Sequence, residues 1–379
     1  MNTTLLDQLI SINSVYPNEK QHAEFLEEQL KKIGFTTRRQ IVSQDRFNIL
    51  AERGNKNSPD QKALCFFGHI DTVPPYGEWN TDPFKAHYQD GKIYGLGAVD
   101  MKGGVFAILE ACRETDPQKY LKVIFCVDEE NISAGAWKAV TDEEFFNDVK
   151  TLIAAETGNI HPYDPQEKWV HLGRRGRCTI DLEVLGLSAH GAFPEKGINA
   201  INDAATIINS LKTLPLSEHP IIGKSSLFAN NITSTETSLS IPDYCKFEIN
   251  RSLVPPETPE SALKQVQEMV QKLQTDQHLK SQINISLQKR DTPFAPPYIT
   301  DKENPTIQHI LKIIGEETPK VSIDYGLSVA DENVFANGAH LAVISVGPEG
   351  DNEHTANEWV NIDSLKRLVN YFKRFIEEV

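Results

Sequence analysis

The sequence predicts an α/β protein with a mixed, largely parallel sheet flanked by helices, interrupted by an inserted α+β block of ferredoxin-like order. Three observations predict it. Short apolar runs, "NILAE", "ALCFF", "KVIFCV" and "TLIAA", alternate with helix-patterned stretches in the N-terminal part. The middle of the chain switches to period-two alternation, and an apolar run, "HLAVISVG", returns near the end. Several of these runs stop at a histidine or a carboxylate, where open α/β sheets bind their ligands.

At the start, Leu5, Leu6, Leu9 and Ile10 share one helical face. A second helix begins near Asn18 with Phe25, Leu26, Leu30 and Ile33 inward, closed by Gly34. A helix from Gly103 to about Cys112 sits between strand-like runs, the βαβ rhythm of a parallel sheet. In "CTIDLEVLG", Ile180, Leu182 and Val184 fall on one face of a strand. The helix "NAINDAATIINSLKTL" follows, then two strand-like stretches near 232–241 and 244–252 separated by Pro242-Asp243. Thr258 as N-cap and Pro259 open another helix, and "INISLQ" closes the block. That β-α-β-β-α-β order over 177–290 describes a split-βαβ insert, leaving 1–176 and 291–379 as one catalytic domain.

A chain of 379 residues suits two domains, and its 39% hydrophobic and 24% charged content is that of an ordinary globular protein. The formal net charge of −15 disfavours nucleic acid or an anionic membrane as partner. No run approaches the roughly 20 apolar residues of a membrane span. The N-terminal "MNTTLLDQLISINSVYPNEK" lacks the basic-then-apolar order of a secretory leader, so a cytoplasmic location is expected. The five cysteines form no CxxC pair and read as buried free thiols, so any metal must be held by nitrogen and oxygen.

Hard donors cluster at the ends of the runs. "GHIDTVP" carries His69 with Asp71 two residues on, placed to take the second N–H of a ligating imidazole. "YGLGAVDMKGG" carries Asp100, which reads either as an N-cap for the helix from Gly103 or as a carboxylate bridging two metals. "VDEENISAGAW" holds Glu129 and Glu130; in an extended stretch they point opposite ways, so one binds metal and the other serves as a base. Glu156 and His354 are weak signals singly. Together, His69, Asp100, Glu130, Glu156 and His354 suit two Zn²⁺ ions about 3.5–4 Å apart, and Co²⁺ or Mn²⁺ would serve the same donors.

The chain resembles the M20 metallopeptidase family, the group of acetylornithine deacetylase, succinyl-diaminopimelate desuccinylase and glutamate carboxypeptidase. The likeness rests on "GHIDTVPPYGEW…DPF", "DGKIYGLGAVDMKGG", "DEE", "AET", "RRG…GLSAHGAFPEKGINAI", "IPDYC…FEINR" and "EHTANEWV". It implies a zinc exopeptidase-like fold in which Asp100 bridges, His69 and Glu156 complete one metal, and Glu130 and His354 the other. It makes Glu129 the general base and Asp71 the partner of His69. The inserted block becomes a lid that dimerises. There His190 in "SAHGAFP" reaches the partner subunit's site to stabilise the oxyanion, and Arg251 in "FEINR" grips a substrate carboxylate. Three departures stand out. Leu239 and Ser240 occupy positions before "IPD" where many relatives have Asn. "VADENVF" replaces the desuccinylase pattern "TSDGRF" and puts Asn333 in place of its arginine, which argues against strict desuccinylase specificity. "DEENISAG" lacks the glycine usual soon after the glutamates.

The expected function is a homodimeric dinuclear zinc hydrolase, with two Zn²⁺ per subunit, cleaving the amide of a small N-acyl amino acid. The alternatives are an M20 exopeptidase acting on short peptides and, more remotely, an inactive metal-binding interaction protein.

Overall fold

The apolar runs become strands of one nine-stranded sheet: β1 (Thr36–Ser43), β2 (Arg46–Arg53), β3 (Ala63–His69), β4 (Leu121–Cys126), β5 (Val149–Ala154), β6 (Glu167–Arg174) and β7 (Ala342–Ser345), with Tyr298–Ile299 and Lys320–Gly326 beside β6. This is a computed structural model, describing residues 2–56, 58, 61–157, 163–276 and 278–379. The strand order is β1-β2-β4-β3-β5-β7-β6. The pairs β4–β3, β3–β5 and β5–β7 are parallel, whereas β1–β2, β2–β4 and β7–β6 are antiparallel. The sheet is therefore mixed around a parallel centre, and the carboxyl ends of β3, β4 and β5 share one edge.

Every residue of β3 and β4 is buried, as strands covered on both faces require. The covering helices include Gly103–Glu114, which buries Val105 to Leu109, and Ile362–Glu378, which sets Phe372 against Phe66 at 4.9 Å between ring centroids. The first two helices are Thr4–Ser11 and Lys20–Lys32; Gly34 beyond the second adopts φ +88°. The chain forms two compact units, Met1–Gly173 with Ile299–Gly326 and Ala330–Val379, and Arg174–Tyr298 with Leu327–Val329.

The second unit holds a four-stranded antiparallel sheet in the order Leu227–Ser234, Tyr244–Leu253, Gly176–Leu185, Gln282–Leu287. Helices Ala200–Ser210 and Pro259–Thr275 complete the β-α-β-β-α-β order, the latter with Thr258 as a side-chain cap. Ile180, Leu182, Val184, Phe247 and Ile249 build its core with Ala204 and Val266. The strand expected near 232–241 lies earlier, at Leu227–Ser234. Residues after it leave the ladder and turn to a loop, where Ile241 donates its amide to the Ala189 carbonyl and Ser240 bridges His190.

Cys65, Cys112, Cys126, Cys178 and Cys245 are all free and buried. Burial pushes the Cys65, Cys112 and Cys178 thiols up to about 12. Among the described residues, no helix is long and apolar enough to cross a membrane.

Candidate metal centre

His69 is the last residue of β3, Glu129 and Glu130 follow β4, and Glu156 follows β5, so three parallel neighbours deliver them to one edge. Asp100 comes from the loop Ala98–Lys102 that leads into the helix Gly103–Glu114. It is no N-cap: Lys102 holds that position, and Asp100 has φ −118° and ψ 92°. His354 sits in the turn after Gly350–Asp351 at φ 58°.

These side chains form two groups that share Asp100. His69 Nε2 lies 2.9 Å from Asp100 Oδ1 and 3.5 Å from Glu156 Oε2. His354 Nε2 lies 3.2 Å from Asp100 Oδ2 and 2.9 Å from Glu130 Oε2. Each trio, His69–Asp100–Glu156 and Asp100–Glu130–His354, offers donor atoms within 4.8 Å of one another. His69, Glu129 and Glu130 make a third such group. Four carboxylates around two imidazoles, with one carboxylate spread between both rings, is a donor set that fits two divalent cations.

The carboxylates favour the charged form of the two imidazoles. Burial disfavours an imidazolium at His69, but the hydrogen bond and charge of Asp100 outweigh it and raise the pKa well above the usual value. The bonds to Asp100 and Glu130 raise His354 to about 11. Asp100 shifts the other way: burial opposes its charge, and the two imidazoles hold it well below the carboxylate range. Glu129 is driven well above that range by burial, then by Glu130, Asp331 and Glu156, with His69 opposing.

Two expectations are corrected. Asp71 does not meet His69 through its carboxylate, which stands 3.9 Å from Nδ1; the Nδ1–H donates to the Asp71 main-chain carbonyl at 2.9 Å. The Asp71 carboxylate instead accepts the amides of Glu129 and Glu130, at 3.1 and 3.0 Å, and so pins the turn that carries them. That turn is the second correction. Glu129 and Glu130 do not alternate along an extended stretch; they lie in a tight turn after Asp128 at φ 77°, and both reach His69. Ser133 takes φ 55° there, the left-handed conformation for which glycine is the usual residue.

Sequence reasoning missed several residues that hold the site. Arg46 donates to Glu19, which is fully buried, and to Asp128 at 2.6 Å, behind the Glu129 turn. Glu358 is 2% exposed and accepts the amides of Gly97, Val99 and Asp100 at 2.7, 2.9 and 3.0 Å. Burial, with Asp100 nearby, raises it to about 8. The only signal in the sequence was its place in "EHTANEWV", where a glutamate before an apolar strand reads as surface.

The second unit carries the remaining two residues. His190 is exposed, and its Nδ1 accepts the amide of Ala192 at 3.0 Å, leaving Nε2 to donate. Arg251 departs from expectation: it is 2% exposed and donates to Glu257 at 2.5 Å, with its Nε buried and unpartnered. Its guanidinium therefore already holds a carboxylate of its own chain, supplied by the turn before helix Pro259–Thr275.

The profile of peptidase family M20/M25/M40 matches residues 65–378. Succinyl-diaminopimelate desuccinylase of Rickettsia bellii is 28% identical over 100% of this chain and 96% of its own. The enzyme of that name from Nautilia profundicola is 27% identical over 99% and 98%. Among solved structures, an M20 family metallo-carboxypeptidase of Sulfolobus solfataricus superposes with a TM-score of 0.78 at 18% identity, covering 100% of this chain and 99% of that one. A match across more than half of the sequence, on this fold, places the chain in peptidase family M20/M25/M40, a hydrolase of amide bonds.

Proposed function

We propose that the protein is a dinuclear-metal hydrolase that cleaves the amide bond of a small N-acyl amino acid. The observation that carries this reading is the pair of ligand trios sharing Asp100, with Glu129 beside them. His69, Asp100 and Glu156 would hold one ion and Asp100, Glu130 and His354 the other, with Zn²⁺ the first choice and Co²⁺ or Mn²⁺ fitting the same donors. When bound, such ions polarise the amide carbonyl and lower the pKa of water. Glu129 takes a proton from the attacking water and returns it to the leaving amine. His190, in a homodimer assembled through the second unit, donates its Nε2–H to the carbonyl oxygen of a substrate in the partner's site as charge develops there. The five free, buried thiols accord with a reducing, cytoplasmic setting.

The relatives named desuccinylase favour the acylated amino acid as substrate. A second reading, short-peptide exopeptidase, draws on solved structures named tripeptidase and metallo-carboxypeptidase, which at 19% and 18% identity share the fold. The intact ligand set and Glu129 argue against an inactive binding protein. Turnover of a panel of N-acetyl and N-succinyl amino acids against dipeptides and tripeptides, after metal analysis, decides between deacylase and exopeptidase. Glu129→Ala should keep its metal content and lose about 10²–10⁴-fold in kcat. Near-normal turnover in that variant would remove Glu129 from the role of base.

A further inference from the structure

We propose, on the two-metal reading above, that Glu358 is the positioning residue of the centre: its buried carboxylate fastens the turn bearing the shared ligand Asp100 to the chain segment bearing His354. The turn is irregular and little held by its own main chain: Lys102 donates its amide to the Gly97 carbonyl at 2.8 Å and Ala98 to that of Gly95 at 3.1 Å. Gly97 is left-handed at φ 74°, and Asp100 and Met101 depart from helical φ/ψ, so the amides of this stretch lack the usual helical acceptors. Glu358 supplies them, with Oε2 accepting from Gly97 and Oε1 from Val99 and Asp100. Its main-chain carbonyl takes a fourth amide, that of Gly95, at 3.0 Å. The fit is close: a Cβ at Gly97 would meet Thr72 Cγ2 at 2.7 Å.

Burying a carboxylate is costly unless charge-assisted bonds replace its water, and here three amides do so. The amides belong to the one loop whose side chain must face two metals at once. Asp100 turns one oxygen to each imidazole, so a small rotation of its backbone would pull it from one ion or the other. His354, four residues from Glu358, is 51% exposed in its side chain. Immediately after Glu358, Trp359–Asn361 pairs with Lys92–Tyr94 and anchors both loops to a common small sheet. Gln at this position would keep one acceptor and turn an NH₂ against the amides.

The test is competitive titration of Zn²⁺ against a fluorescent chelator, on wild type and Glu358→Gln, at a temperature well below the variant's unfolding midpoint. Folded E358Q should bind both ions about 10–100-fold more weakly, because the ligand it loosens is shared. Glu358→Asp, with its charge kept but withdrawn by one methylene, should fall between. Wild-type affinity for both ions in folded E358Q, with only the midpoint lowered, would show a structural role and overturn the proposal while leaving the two-metal reading intact. Wild type that takes up no metal would overturn both. If neither variant folds, amide hydrogen exchange on wild type decides: Gly97, Val99 and Asp100 should be protected in the metal-free protein, and open-loop exchange rates there would sink the proposal.

Discussion

Asp100 and His22 show how single residues are set by their surroundings. Asp100 is drawn to ionise by two imidazoles, while His22, fully buried, is kept neutral. Its Nδ1–H donates to the Ile70 carbonyl at 2.8 Å, and burial, then Lys102, lowers its pKa to about 3. An unfolded chain takes up this proton near pH 6.5, but the folded chain only near 3. The contribution is thus complete above pH 6.5 and is lost as pH falls toward 3, with a magnitude on the order of 5 kcal/mol. In urea melts, the stability gap between wild type and His22→Asn should therefore narrow across that range; a constant gap would show that His22 titrates normally. Arg46 predicts a loss of similar size at neutral pH, one that shrinks in acid as the two carboxylates take up protons. Arg46→Leu leaves the fully buried Glu19 and the 1%-exposed Asp128 without their cation, a loss of about 3–5 kcal/mol by denaturant titration. The proposed ligand donors were legible only as a set, because several histidines and carboxylates follow apolar runs although each taken singly has an ordinary structural reading. Glu358, Arg46 and Glu19 were not, because acids and bases scattered over 340 residues (Glu19 to Glu358) look like surface until the fold brings them together. Asp71 was placed near His69 by spacing alone, and spacing cannot say which of its oxygens the imidazole meets.

The elements follow from their burial. β3, β4 and β5 were readable because strands covered on both faces are apolar at most positions, with Lys122, Lys150 and Thr151 the exceptions before the terminal His69. β1, "TTRRQIVS", was not: it is an edge strand with only Gln40 buried, so no apolar alternation marks it. The misplaced strand at Leu227–Ser234 is half exposed for the same reason, and its register shift between Asn230 and Thr233 breaks the period further. Where the helix Gly103–Glu114 meets the end of β5, the contact is too close for any side chain. A Cβ at Gly104 would stand 2.1 Å from the Ala155 carbonyl oxygen, next to Glu156. Gly104→Ala should cost about 2–3 kcal/mol and weaken metal uptake as well, measured by thermal melts with and without Zn²⁺. Gly91→Ala is the control, since nothing lies within 4 Å and only its φ of 73° resists, at about 1–2 kcal/mol.

Among the described residues each unit has a core of its own, and all five proposed metal ligands belong to the first unit. Chelation should therefore lower the calorimetric transition of that unit alone, by about 4 kcal/mol at metal concentrations 1,000 times the dissociation constant. Equal shifts in both units would show that ligands come from both. The trans role proposed for His190 makes a separate prediction. Mixing His190→Ala with Glu129→Ala subunits should restore activity, because the mixed dimer has one site with both residues intact; no recovery after exchange would place His190 outside its partner's site.

The five buried thiols give the molecule an internal record of its own opening. Cys65, Cys112 and Cys126 lie in the first unit, Cys178 and Cys245 in the second, and each is shielded while its unit is folded. A neutral-pH alkylating agent can mark a thiol only in the moments its unit unfolds, so mass analysis of labelled peptides reads two opening rates from one sample. Adding or removing metal should then slow or quicken the clock of one set of cysteines and leave the other running at its own pace.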